Sequence, residues 1–318
     1  MPFKKSHLFP IIAVFIVIIF AGTIIFRQQF LSRGDQKKVM GAKVKITASF
    51  YPLGEFARKV GGDFVEVSSV TPSGVEPHDF EPTPQQVVSV YDSNLLIFNG
   101  GGVDVWAAHL APSVIKYGVH VLEIDKLMTT LLPPPTSEEQ SAFDPHFWLN
   151  PVLAEKQVEA IRDELSIIDS VHADIYRKNA EMYNDALRNL DTAFKTGLES
   201  CTLHTVVTSH AAFAYLAKQY GFIQLPISGI SPDEEPSAGK LAEIAVQAKK
   251  QGIKYIFFET LVNPGLAKTL AREVGAQTLV FNPLEGLTDV EIAAGKDYVS
   301  VMQENLQNLR IAMGCTSL

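Results

Sequence analysis

Residues 173–199 read ADIYRKNAEMYNDALRNLDTAFKTGLE. The stretch has no proline and no glycine before Gly197, and apolar Ile175, Met182, Leu187, Leu190 and Phe194 recur along it at helical spacing. It predicts one helix of roughly 25 residues, about 37 Å long at 1.5 Å per residue. Few globular helices are that long. A chain of 318 residues has room for two domains of ordinary size, so this helix is expected to run as a spine between two lobes.

Strands and helices alternate on both sides of the spine. Ahead of it, strands are expected at 44–49, 65–70, 95–99 and 119–124. A helix at 53–60 is stopped by Gly61 and Gly62, and another starts at Pro84 with Thr83 as its N-cap. From Pro151 the chain is helical again. Behind the spine, strands at 205–209, 224–227, 255–259 and 277–281 alternate with helices at 211–220, 238–251 and 265–274, and a helix at 295–312 closes the chain. Such alternation means parallel sheets covered on both faces. The expected fold is therefore α/β. It comprises a lobe at 43–171, a linking helix at 172–199 and a second lobe at 200–318. The proline-rich, acidic stretch 131–142 (LLPPPTSEEQSA) reads as a surface loop.

Charge is unevenly placed. Residues 1–38 hold six Lys/Arg and one acid, which leaves 21 basic and 34 acidic residues beyond them, a net charge of −13. An acidic body excludes nucleic acid, whose phosphates need a basic face, and suits a cation. Residues 8–26 (LFPIIAVFIVIIFAGTIIF) are uncharged and long enough to cross a bilayer core. Lys4 and Lys5 make 1–7 a cytoplasmic flank and place the rest outside the cytoplasm. An uncleaved anchor with a tether at 27–42 is expected. A cleaved signal peptide is the alternative, although its apolar core would be shorter and small residues would precede the cut. No cysteine follows the segment closely, which argues against a lipid-anchored precursor. The two cysteines, Cys201 and Cys315, permit one intramolecular bridge in an exported chain, and two unpaired thiols are the other reading.

Three histidines occupy distinctive surroundings. His78 lies in VEPHDFEPTP (75–84), between prolines that hold a loop in one shape and among Glu76, Asp79 and Glu81. His146 lies in DPHFWLNP, and His210 ends TVVTSH. All three follow expected strands, as does Glu285 in NPLEGLT, and ligands of open parallel sheets gather beyond the carboxyl ends of strands. Two lobes can close on one small charged object there, and three neutral imidazoles with one carboxylate make a tetrahedral set for Zn²⁺. Of the others, His7 flanks the anchor, and His109, His120 and His172 fit solvated or core positions. His204 lies about 20 Å from His210 along an extended strand.

These motifs, together with SFYPL at 49–53 and TSHAAFAYLAKQYG at 208–221, resemble the metal-binding subunits of zinc and manganese ABC importers, the cluster A-I substrate-binding proteins, of the zinc-uptake type. The resemblance spans about 43–314. It implies two α/β lobes joined by one long helix, a metal site in the cleft, and His78, His146 and His210 as ligands with an acidic fourth ligand from the last loop. It further implies Zn²⁺ as transported ligand, an inner-membrane ABC permease as partner, an extracytoplasmic monomer and no enzymatic activity. Two departures stand out. The loop at 131–142 lacks the histidines many zinc-type members carry there, and Asn282 stands where many members have aspartate. Glu285 is the expected fourth ligand, because the neutral amide of Asn282 is a poor partner for Zn²⁺ beside three imidazoles.

Manganese or iron is the alternative cargo; imidazole at 210 favours zinc, since manganese-type members usually carry a carboxylate there. The competing classes are a zinc hydrolase, for which Glu76, Asp79 or Asp144 would serve as base, and a surface adhesin. No HExxH, GxSxG or phosphate-binding glycine loop is present.

Overall fold

A computed structural model describes residues 43–132 and 144–316. The expected membrane segment 8–26, its flank and tether, and 133–142 of the proline-rich loop lie outside those residues. Among the described residues, no helix is long and apolar enough to cross a membrane.

The first lobe runs β1 (Val44–Ala48), α1 (Tyr51–Gly61), β2 (Val65–Ser69), α2 (Pro84–Tyr91), β3 (Leu95–Phe98), α3 (Val105–Lys116), β4 (His120–Glu123) and α4 (Ile124–Leu131). Its sheet is parallel throughout, in the order β2-β1-β3-β4, with Val44 opposite Val65 and Ile46 opposite Leu95. Helix α5 (Pro151–Ile168) and the long α6 (Ala173–Leu198) follow. The second lobe runs β5 (Thr205–Thr208), α7 (Ala214–Tyr220), β6 (Ile223–Pro226), α8 (Ala238–Gln251), β7 (Tyr255–Phe258), α9 (Gly265–Val274) and β8 (Gln277–Val280), then α10 (Asp289–Ala293) and α11 (Tyr298–Met313). Its sheet repeats the winding, in the order β6-β5-β7-β8. In each sheet the strand order reverses beside the first strand, which makes a ligand crevice at that strand's carboxyl end.

Caps explain where several helices begin. Thr83 accepts the Gln86 N–H, and the Gln86 side chain returns to the Thr83 N–H, a full capping box ahead of Pro84. Ser237 accepts the Lys240 N–H at the start of α8. Helices α8 and α9 end on Gly252 and Gly275 in the left-handed conformation.

The long helix differs from its expected pattern in one respect. Its buried stripe is Tyr176, Ala180, Tyr183, Leu187, Leu190 and Phe194, steps of four and three, whereas Ile175 and Met182 are exposed. Two tyrosines one position along keep the 3.5-residue seam that the aliphatic residues break. The helix packs on α1 and α5 and on α7 and α11. One hydrophobic cluster runs without interruption from Val44 through this stripe to Met313, so both lobes share a core.

Other corrections are local. Helix α1 starts at Tyr51 because Pro52 sits in its first turn, where a missing N–H costs nothing. Helix α3 forms despite Pro112, and with α4 fills stretches the sequence left unread. The helix expected at 295–312 is α11, and a short helix not expected from the sequence, α10, precedes it; each has its own capping box. Cys201 and Cys315 form a disulfide that ties the chain ahead of β5 to the end of α11.

Candidate metal centre

Two segments of the first lobe and two of the second deliver the site. His78 sits on the loop after β2, where its own N–H is held by the Glu76 carboxylate at 3.1 Å. Gly74 N–H, on the same loop, donates to the Leu287 carbonyl of the second lobe at 2.9 Å. His146 precedes the single turn Phe147–Leu149, and its preceding carbonyl, that of Pro145, accepts the Asn99 side-chain N–H at 3.0 Å. The Tyr215 hydroxyl donates to the Asp144 carbonyl from the other lobe. His210 follows β5 directly, and Glu285 follows β8.

The four side chains converge. Glu285 Oε1 lies 3.4 Å from His78 Nε2, 3.5 Å from His146 Nε2 and 3.2 Å from His210 Nε2. The Nε2 atoms of His146 and His210 are 3.3 Å apart. All four ligand-type atoms lie within 4.8 Å of one another, the one such group of three or more among the described residues. His146, His210 and Glu285 are buried, and the His78 side chain is 4% exposed.

Carboxylates behind two of the rings set the tautomers. His146 Nδ1 meets Asp144 Oδ1 at 2.8 Å, and His210 Nδ1 meets Glu259 Oε1 at 2.7 Å. An ionised carboxylate only accepts, so each Nδ1 carries the proton and each Nε2 turns a lone pair inward. Lone pairs from two imidazoles then face each other and a carboxylate, with His78 Nε2 and both Glu285 oxygens buried and outside hydrogen-bonding geometry. Only a cation or protons satisfy such a cluster.

Titration behaviour reflects this. Burial opposes charge on His210, but Glu259 and Glu285 override it and hold its pKa well above the ordinary histidine value. Burial likewise opposes charge on His146, and hydrogen-bonded Asp144 with nearby Glu285 raises its pKa nonetheless. Burial also works against ionised Glu285; the charge of His210 and the close approach of all three imidazoles outweigh it, keeping the carboxyl well below its usual range. Glu76, by contrast, is pushed up to about 9 by burial and by the charge of Glu285.

The arrangement fits a tetrahedral ion. Metal bonds of 2.0–2.1 Å to His nitrogen give tetrahedral edges of about 3.3–3.4 Å, since the edge is about 1.63 bond lengths. Four of the six donor separations, at 3.2, 3.3, 3.4 and 3.5 Å, bracket that value, and all lie within 4.8 Å. Asn282 points elsewhere: its side-chain N–H groups donate to Glu291 and Thr260 and its oxygen accepts the Leu284 N–H. Sequence reasoning missed Glu259 as the partner of His210. It ends β7 in the same way His210 ends β5, so the strand-end criterion already contained it.

Residues 46–312 match the family described as ZnuA, zinc-uptake complex component A, periplasmic. The chain belongs to this family. It is 35% identical over 318 residues to the high-affinity zinc uptake system protein ZnuA of Bacillus subtilis (strain 168), covering 97% of this chain and 98% of that one. It is 39% identical over 293 residues to the zinc-binding lipoprotein AdcA of Streptococcus pneumoniae (strain ATCC BAA-255 / R6), covering 88% of this chain and 58% of that longer one. This chain thus spans under two thirds of the length of AdcA. The crystal structure of the Zn(II)-bound ZnuA-like domain of Streptococcus pneumoniae AdcA superposes with a TM-score of 0.74 at 40% identity, covering 86% of this chain and 99% of that domain.

Proposed function

We propose that the chain binds one Zn²⁺ outside the cytoplasm through His78, His146, His210 and Glu285 and delivers it to an inner-membrane ABC permease for import. The observation that carries the reading is that four of the six donor separations match the edges of a zinc tetrahedron while Asp144 and Glu259 fix two of the three imidazole tautomers. The names of its relatives in the family support zinc as the cargo. A donor set of three imidazoles and one carboxylate favours zinc over manganese, which suits oxygen-rich sites.

Four protein ligands leave no coordination position for an attacking water, so the site serves holding and release of a metal and no hydrolysis. In this reading 43–171 and 200–318 act as the two lobes around the linking helix 172–199, residues 8–26 keep the monomer at the membrane, and the permease receives the metal from the cleft. Isothermal titration of the metal-free protein is expected to show one tight Zn²⁺ per chain and much weaker Mn²⁺. Tight binding of Mn²⁺ with weak Zn²⁺ would overturn the cargo assignment. Restoration of zinc-limited growth by this chain in cells lacking their own zinc-binding subunit, supplied with a matched permease, tests delivery.

A further inference from the structure

Leu284 is the one non-glycine residue at positive φ among the described residues, at 56°. For an L residue with a side chain this left-handed backbone is strained, and it survives only where neighbours enforce it. Leu284 is fully buried and immediately precedes Glu285. Its N–H donates to Asn282 Oδ1 at 2.8 Å, a side-chain turn that closes over Pro283.

Asn282 is itself fixed on every polar atom. Its Nδ2 donates to Glu291 Oε1 at 3.2 Å and to Thr260 Oγ1 at 3.3 Å. The other Glu291 oxygen is committed to the capping box of α10, where it accepts the Thr288 N–H and hydroxyl. Asn305 of α11 clamps the Asn282 backbone from both sides: Oδ1 accepts the Asn282 N–H at 2.8 Å, and Nδ2 donates to the Asn282 carbonyl at 2.7 Å. The Pro283 carbonyl accepts the Trp148 indole N–H at 2.7 Å. Residues 282, 283 and 284 are each held in turn, and the next side chain is the carboxylate that meets three imidazoles.

We propose that Asn282 is a positioning residue that holds Leu284 in the left-handed conformation and so carries the Glu285 carboxylate into the three-histidine cluster. Relaxing φ at 284 to the ordinary negative range would swing the following Cα–Cβ bond away from the histidines. Asn282 thus shapes the site without touching the metal. The inference rests on the metal-binding reading above.

A double-mutant cycle tests it by competition titration of Zn²⁺ against a chromophoric chelator. In the Leu284 background, Asn282→Ala is expected to weaken Zn²⁺ three- to tenfold. Glycine adopts the left-handed conformation freely, so in a Leu284→Gly background the same change is expected to cost less than twofold. Equal losses in both backgrounds, or no loss in either, would overturn the proposal, since a purely structural asparagine would not be rescued by glycine two residues on. Leu284→Gly also empties a buried position and lowers stability. If those variants do not fold, Co²⁺ bound to Asn282→Ala alone decides: its visible absorption is expected to move towards that of Glu285→Ala, and a wild-type spectrum would overturn the proposal. A wild-type protein that takes up neither Zn²⁺ nor Co²⁺ would instead overturn the metal-binding reading beneath it.

Discussion

Glu285→Ala removes the only carboxylate oxygen among the four converging ligand atoms. Its Oε1 lies 3.2–3.5 Å from three imidazole nitrogens, in a site where it is 1% exposed. With it, a bound Zn²⁺ site carries a net +1; without it, +2, in surroundings that penalise charge. Groups that only orient a metal ligand are worth 10–100-fold in affinity, so a direct ligand is worth at least the lower figure. The expected loss is therefore tenfold or more, at least about 1.4 kcal/mol. Asn282→Ala, which acts one step removed, should lose less. The assay is competition against a chelator at constant pH, with isothermal titration confirming that one ion still binds. A larger loss from Asn282→Ala than from Glu285→Ala would refute the ligand assignment. Losses below threefold in both would mean that water, and not this loop, completes the shell.

His78→Ala, His146→Ala and His210→Ala should each abolish tight Zn²⁺ binding, and unchanged titration heat for any one of them removes that residue from the site. Affinity should fall steeply towards pH 5, because metal and protons compete for the same nitrogens. The raised values of His146 and His210 mean that metal-free protein still holds protons there above the reference of about 6.5, so the fall should already begin on the alkaline side of it; a flat profile from pH 8 to 5 would contradict the three-histidine set. In the metal-free fold those two histidines stabilise below about pH 6.5, an effect lost as pH rises through their raised values, while Glu285 stabilises above its ordinary range near 4.3 and loses that effect as pH falls through its lowered one. Replacing Cys201 and Cys315 together by Ser opens a loop of 114 residues, for which chain entropy gives about 4–5 kcal/mol and a Tm lower on the order of 10 °C. Zinc affinity should not change, since the bridge sits ahead of β5 and His210 beyond its other end; an unchanged Tm would show the bridge idle.

Much of this was legible because strand-end chemistry and strand order are linked. His78, His210 and Glu285 each follow a strand at its carboxyl end, where the sheet rule gathers ligands, whereas α4 stands between β4 and His146. The spine was legible from 26 helical residues free of proline. Its buried face was legible at Leu187, Leu190 and Phe194 but not at Tyr176 and Tyr183, which look amphipathic in sequence and bury only once packing decides which side of the ring is covered. Helix α3 escaped notice for a different reason: Pro112 argues against a helix locally, whereas Trp106, Ala107, Ala111 and Val114 bury a face that outweighs it. The left-handed Leu284 was invisible because residue type does not mark it, and Glu259, although at a strand end, sat in no motif that singled it out. They depend on tertiary neighbours.

How the metal leaves follows from what each ligand hangs on. The lobes share one apolar core that passes through the stripe of α6, so pulling them apart as rigid bodies would expose Tyr176, Leu187, Leu190 and Phe194 to water. The ligand loops are tied across the cleft by far less. The Gly74 to Leu287 backbone hydrogen bond spans it beside His78, and the Trp148 indole N–H to Pro283 and the Tyr215 hydroxyl to Asp144 span it beside His146. His146 and His210 are each braced by a carboxylate at Nδ1, whereas no such carboxylate stands behind His78 among the described residues. If the proposed site holds a metal, the expected route out breaks the Gly74 contact and swings the proline-framed loop of His78 outward while His146, His210 and Glu285 stay in place. Local stability sets which segment moves, and of the four segments that carry these side chains the one with His78 is the most exposed.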